Sequence, residues 1–218
     1  EKAIRKYLAD RDVMLEEYLQ KNSKIANTDE ARKLFKDVGY KGSNAAAVQE
    51  AASALSKDAW KRLLENEGDA LIYAGGSGTG KTSSLKNVLP EDIEKAGAIL
   101  DGNLSTMKSA KGRIAEARAK GKEPKIFYVY RKPVESFVEG VVKRMKFNPE
   151  EGGRIVPTKI VAENHKGSYG VIKTLLDEGR HDIQLVNNSF GDPKKATIMT
   201  PDQFYRISYP ENLLKRLN

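Results

Sequence analysis

The 218-residue sequence predicts an α/β fold: a parallel sheet of four to five strands flanked by helices, with an N-terminal helical subdomain. Three observations carry that expectation. Residues 1–66 place their apolar side chains at helical spacing. From Asp69 onward, short apolar runs alternate with helical stretches, the pattern of a parallel sheet covered on both faces. At the first strand-to-helix junction stands a loop with four glycines in six positions, 75–80. The expected division is a helical subdomain over 1–66 and a main domain over 67–218.

In chain order, Ile4, Tyr7, Leu8, Met14, Leu15, Tyr18 and Leu19 recur every three or four residues and predict one helix face. Thr28 with Asp29 and Glu30 reads as a helix start, its acids favoured at the positive end. Ala45–Leu55 is rich in the strongest helix former, and Ser56 reads as the cap of a further helix carrying Ala59, Trp60, Leu63 and Leu64, ended by Gly68. Trp60 is expected to anchor these helices to the main domain rather than to stack on a base. The strand runs are Ala70–Ala74, Ala98–Leu100, Ile126–Tyr130 and Ile183–Val186. Between them lie helical patterns at Lys81–Val88, Thr106–Lys120, Val134–Met145 and Pro157–Leu176, the last with an expected disturbance at Gly167–Gly170. Ala196–Met199 predicts an edge strand and Pro201–Leu217 short terminal helices.

Composition narrows the function classes. The chain has no cysteine, which excludes disulfides, zinc-thiolate sites and a cysteine nucleophile, and fits a reducing cytoplasm. No apolar run approaches the ~20 residues that cross a membrane. Lysine and arginine exceed the acids by 38 to 30, a net charge of +8, but they are interleaved with Glu and Asp, as on a solvated mixed surface. Glu1 in place of methionine suggests a piece cut from a longer protein.

Gly75-Gly76-Ser77-Gly78-Thr79-Gly80-Lys81-Thr82, followed by Ser83, satisfies the G-x-x-x-x-G-K-[ST] phosphate loop. Glycines let successive backbone N–H groups converge on an anion, and the following helix directs its positive end to the same place. Lys81 adds a full charge near the β- and γ-phosphates, and the Thr82 hydroxyl is placed to ligate magnesium. ATP with Mg2+ is the expected ligand.

A carboxylate at the carboxyl end of a strand projects into the crevice where open α/β sheets bind ligands, which singles out Asp101. It fits two roles, a group behind the magnesium or the base that takes a proton from an attacking hydroxyl. Arg144 and Arg154, the second in a glycine-rich stretch, are the candidates for an arginine lid near 146–157, because guanidinium forks stabilise a transferring phosphoryl group. Asn103, Arg131 and His165 are further candidates for touching the substrate or the lid, with a packed or solvated position the other reading of His165.

The order of these motifs resembles the zeta-toxin family of P-loop kinases. The resemblance rests on GGSGTGKTS at 75–83, ILDGN at 99–103, KIFYVYRKP at 125–133, VVKRM at 141–145, GGRIVP at 152–157, His165 and IQLVNNS at 183–189. It implies a P-loop kinase-like sheet and transfer of phosphate from ATP to a hydroxyl of a nucleotide or nucleotide-sugar, in the manner of a toxin. It further implies that Lys81, Thr82, Arg144 and Arg154 fall on the phosphate-loop and lid positions, and that an inhibitory, antitoxin-like protein is a candidate partner. The family also carries a further strand between the phosphate-loop helix and the strand of Asp101, ending in the base aspartate. Here Asp101 follows Lys81 by only 20 positions, so that strand has no room; the resemblance aligns Asp101 with an acidic substrate-binding position, and either it is also the base, or the substrate differs, or catalysis is impaired. Two other readings stand beside this one: a polynucleotide 5′-hydroxyl kinase, suggested by the basic balance, and a nucleotide-binding interaction module without useful catalysis.

Overall fold

The computed structural model describes residues 1–143, 156–209 and 212–217. Six strands form one sheet: β1 (Ile25–Asn27), β2 (Asp69–Ala74), β3 (Ala96–Asp101), β4 (Lys125–Tyr130), β5 (Asp182–Asn187) and β6 (Thr197–Ile198). Their order across the sheet is β1-β3-β2-β4-β5-β6; all neighbours run parallel except the antiparallel edge pair β5–β6. Helices cover both faces, so the fold is the expected P-loop kinase-like α/β architecture, with one strand more than the four to five anticipated.

The extra strand is β1, inside the segment expected to be helical throughout. It pairs with β3 in the register Ile25↔Ile99, Ala26↔Leu100, Asn27↔Asp101. Three residues, of which Ala26 alone is fully buried, leave no alternation for a sequence reading to detect. Tertiary contacts hold the strand in place instead. The Tyr18 hydroxyl, on a fully buried ring, lies 3.0 Å from the Ile25 carbonyl and 3.2 Å from that of Asn27, and accepts from the Asn27 N–H at 2.7 Å. A strand that precedes the phosphate loop in sequence therefore lies beside the strand of Asp101, although the connection between Lys81 and Asp101 is too short to contain one.

The helices of the N-terminal segment depart from expectation in two places. The single stripe from Ile4 to Leu19 is split at Asp10 into α1 (Lys2–Ala9) and α2 (Arg11–Asn22), which bury Tyr7, Met14 and Tyr18 but leave Leu8 70% exposed. After α3 (Thr28–Arg32) and two 3₁₀ turns, α4 (Gln49–Leu63) runs straight through Ser56. Ser56 is buried in the same helix as Ala52, Leu55, Ala59 and Trp60, so it packs where it was expected to cap. Trp60 is fully buried, and the core containing it continues through Ile72, Ile126 and Leu175 of the main domain. The opposite face of the sheet, with Leu71, Ile99, Phe127 and Val129, buries Leu85 of α5 (Lys81–Val88) and packs Ile93 of α6 (Pro90–Lys95).

Beyond β3 come α7 (Met107–Arg118), the short α8 (Pro133–Glu135) continued by a π-helical stretch Ser136–Val142, and α9 (Thr158–Glu178). The chain closes with α10 (Pro201–Tyr205) and α11 (Leu213–Leu217). The disturbance expected at Gly167–Gly170 is absent, and α9 is continuous. Gly167 serves close approach instead: a Cβ there would lie 2.4 Å from the Ser105 carbonyl oxygen.

Candidate functional site

The site lies where the carboxyl ends of β1, β3, β2 and β4 come together. β2 delivers the chain into residues 75–80, and Gly80, at φ +76° in the left-handed region that glycine tolerates, turns it into α5 at Lys81. The loop is braced from several sides. Thr79 is buried and donates its hydroxyl to the Gly76 carbonyl at 3.1 Å, while its own carbonyl accepts from Asn188 Nδ2 at 2.8 Å. The Gly75 N–H donates to the Asn103 carbonyl, 3.1 Å. Asn164 Nδ2 donates to Ser77 Oγ at 3.1 Å. Gly78 abuts the π-helical stretch, where Gly140 leaves room for its backbone.

His165 presses on this loop from α9. A Cβ on Gly76 would fall 2.3 Å from the imidazole ring, so the glycine is required here by proximity. The ring's Nε2 lies 3.0 Å from the Ser77 carbonyl. A carbonyl only accepts, which puts the proton of the neutral ring on Nε2. Burial, with the Lys81 ammonium nearby, pushes the histidine down to about 4 against the opposing pull of the Ser77 carbonyl. His165 is therefore a neutral brace of the loop at pH 7.

Lys81 Nζ donates to the Gly75 and Gly76 carbonyls, each at 3.3 Å, and to Asn103 Oδ1 at 3.0 Å. Asn103, expected to touch the substrate or lid, thus holds the loop through its carbonyl and the lysine through its side chain; its carbonyl also accepts from Ser168 Oγ. Next to Lys81, the Thr82 hydroxyl donates to Asp101 Oδ2 at 3.2 Å. The same oxygen accepts from Asn27 Nδ2 at 3.0 Å. Ser83 stands exposed on the first turn of α5.

These groups suit a hydrated magnesium ion. Mg2+ takes hard oxygen ligands and in phosphate sites is held by one or two protein oxygens, the phosphates and waters. A hydroxyl that donates its proton to Asp101 turns its lone pairs outward, the state a metal ligand needs. Among the described residues no cluster of three or more His, Asp or Glu forms a metal cage.

Arg131 does not reach this cluster directly. It is buried under the turn after β5, so that a Cβ on Gly191 would lie 2.2 Å from its guanidinium, and among the described residues its Nε has no hydrogen-bond partner. The same turn carries Asn188, which braces Thr79. Arg144, Arg154 and all of the expected lid but its last two residues lie outside the described residues. Asn27, Asn164 and Ser168 escaped the sequence reading. For Asn27 a signal existed, an N-cap residue directly ahead of the acidic helix start at Thr28.

Residues 93–192 match the family model described as Zeta toxin. Over this stretch, which is less than half of the chain, the protein is similar to zeta-toxin domains. The match takes in Asp101, Asn103, Arg131 and His165 and starts after the phosphate loop. Zeta-toxin domains are kinase-like, nucleotide-binding P-loop domains, and domains of this kind use ATP and Mg2+. A comparison with curated proteins finds no match. Among the described residues, no helix is long and apolar enough to cross a membrane.

Proposed function

We propose that this zeta-toxin-type protein is a Mg-ATP-dependent kinase that phosphorylates a hydroxyl of a nucleotide or nucleotide-sugar. The observation that carries the reading is the contiguity of the braced phosphate loop, the Lys81 ammonium and the Thr82–Asp101 pair, all at the carboxyl ends of adjacent parallel strands. The loop amides of 75–80 and Lys81 bind the triphosphate. Thr82 would hold the metal, whose charge when bound offsets that of the β- and γ-phosphates. Asp101 orients the acceptor hydroxyl and takes its proton as the oxygen–phosphorus bond forms and ADP departs. Arg144 and Arg154 stabilise the transferring phosphoryl group from the lid. In this reading residues 1–66 are a subdomain of the kinase rather than a separate module, and an antitoxin-like inhibitor is its regulatory partner.

Incubation with ATP and a cell metabolite extract, followed by mass spectrometry, should reveal a nucleotide-class species that gains one phosphate. Lys81→Ala should lower its formation by about two to three orders of magnitude, the scale on which one preorganised electrostatic group acts. ATP consumption that is the same in wild type and variant would remove the assignment. The net charge of +8 favours a second reading, a polynucleotide 5′-hydroxyl kinase. It requires oligonucleotide affinity that falls steeply with salt, and a flat response excludes it.

A further inference from the structure

We propose that Asn27, contributed by the N-terminal segment, is a positioning residue of the metal–nucleotide site: it locks Asp101 in the orientation that readies Thr82 for the metal. The inference rests on the kinase reading above, but its argument starts from one amide group that serves two elements at once. Asn27 Nδ2 donates to Asp101 Oδ2 at 3.0 Å. Asn27 Oδ1 accepts from the backbone N–H groups of Asp29 at 2.6 Å and Glu30 at 3.4 Å, capping α3. Because one end of the amide must accept and the other must donate, its orientation is determined: a flip would set the NH2 against two N–H groups and the oxygen against a carboxylate.

The backbone on either side is fixed as well. Asn27 pairs in register with Asp101 across β1 and β3, and its N–H donates to the buried Tyr18 hydroxyl. The donor therefore approaches Asp101 from a rigid frame. Two donors, Asn27 and Thr82, converge on Oδ2, and no hydrogen bond reaches Oδ1 from the described residues. The pair of bonds removes the carboxylate's freedom to rotate, holds Oδ2 toward Thr82, and leaves Oδ1 directed away from both. Thr82 is then kept as a donor to Asp101, with its lone pairs presented to a magnesium ion. Without Asn27 the carboxylate keeps a single tether and turns about its terminal bond, and the threonine hydroxyl loses its preset direction. The consequence is that the N-terminal segment is part of the reaction centre: a residue that precedes the phosphate loop by about fifty positions sets the geometry of its metal ligand.

Asn27→Ser tests this contact apart from the fold. Serine caps helices as well as asparagine does, so α3 keeps its start, but its side chain is too short to reach Asp101. Calorimetry with a non-hydrolysable ATP analogue, in magnesium and separately in EDTA, reads metal-dependent binding without turnover. The variant should bind the magnesium complex about tenfold more weakly than wild type, the scale of one hydrogen bond to a charged group, and should match wild type in EDTA. In an Asp101→Ala background the same substitution should change nothing, because its partner is gone. Wild-type affinity for the magnesium complex in Asn27→Ser, an equal loss in EDTA, or an equal loss in the Asp101→Ala background overturns the proposal and leaves the kinase reading standing. Failure of wild type itself to bind the analogue in either condition removes both.

Discussion

Acidification should weaken the fold through His165, because the imidazole can be protonated only if it leaves the pocket against the phosphate loop. Burial holds its folded-state value at about 4, whereas the unfolded chain titrates near 6.5. Between these values the unfolded state binds the proton and the folded state does not, so stability falls as the pH is lowered through that window and is regained as it rises. A difference of that size is worth about 3 kcal/mol at its limit, with roughly two-thirds of the loss in place by pH 4.5. Carboxylates held low by cation partners, such as Asp58 beside Arg11 and Glu123 beside Arg118, add their own losses at lower pH. Urea denaturation at half-unit intervals from pH 7 to 4.5 measures the slope. His165→Gln, which keeps an N–H donor for the Ser77 carbonyl but does not titrate, should flatten it. A wild-type curve already flat in this range, or a glutamine variant that retains the wild-type slope, would refute the idea that packing against Gly76 keeps the ring neutral.

Two further substitutions probe the same architecture. Gly76→Ala drives a methyl group into the His165 ring and should cost about 1–3 kcal/mol by overpacking, seen as a lower thermal midpoint together with weaker binding of a Mg-nucleotide; an unchanged midpoint would mean that α9 does not seat the loop. Tyr18→Phe removes the hydroxyl shared by Ile25 and Asn27 and should destabilise the fold by about 1–3 kcal/mol in chemical denaturation, the cost of leaving a buried backbone group unpaired. Full wild-type stability in that variant would show that β1 does not depend on α2.

What could be read early was what short-range chemistry dictates. The phosphate loop is legible because its function is carried by backbone N–H groups, and only glycine at fixed offsets permits that backbone; Lys81 and Thr82 follow within the same eight residues. Asp101 was legible as the residue ending an apolar run, since strand ends in a parallel sheet lie at the ligand crevice. His165 and Asn103 stand out in the sequence as candidates for the substrate or lid, His165 also as a packed residue; the structure adds that His165 meets the Ser77 carbonyl and Asn103 holds Lys81. A partner 22 positions away, as Lys81 is from Asn103, or 88 away, as Ser77 is from His165, leaves no local trace in the sequence.

Local pattern was enough for the alternation of strands and helices from Asp69 onward and for the glycine-rich loop at 75–80, because both arise from periodicity and backbone freedom within a few consecutive residues. Tertiary structure alone decided that Ile25–Asn27 is a strand, that Ser56 lies inside a helix, and that α9 runs unbroken past Gly167 and Gly170. It alone brought Asn27 against Asp101. Three residues with one buried alanine cannot specify a strand; the open edge of β3 and the Tyr18 hydroxyl supply the hydrogen bonds that do. The physical reason is the range of the interactions: propensity and pattern act along the chain, whereas sheet edges and polar networks are completed by whatever segment the fold brings alongside.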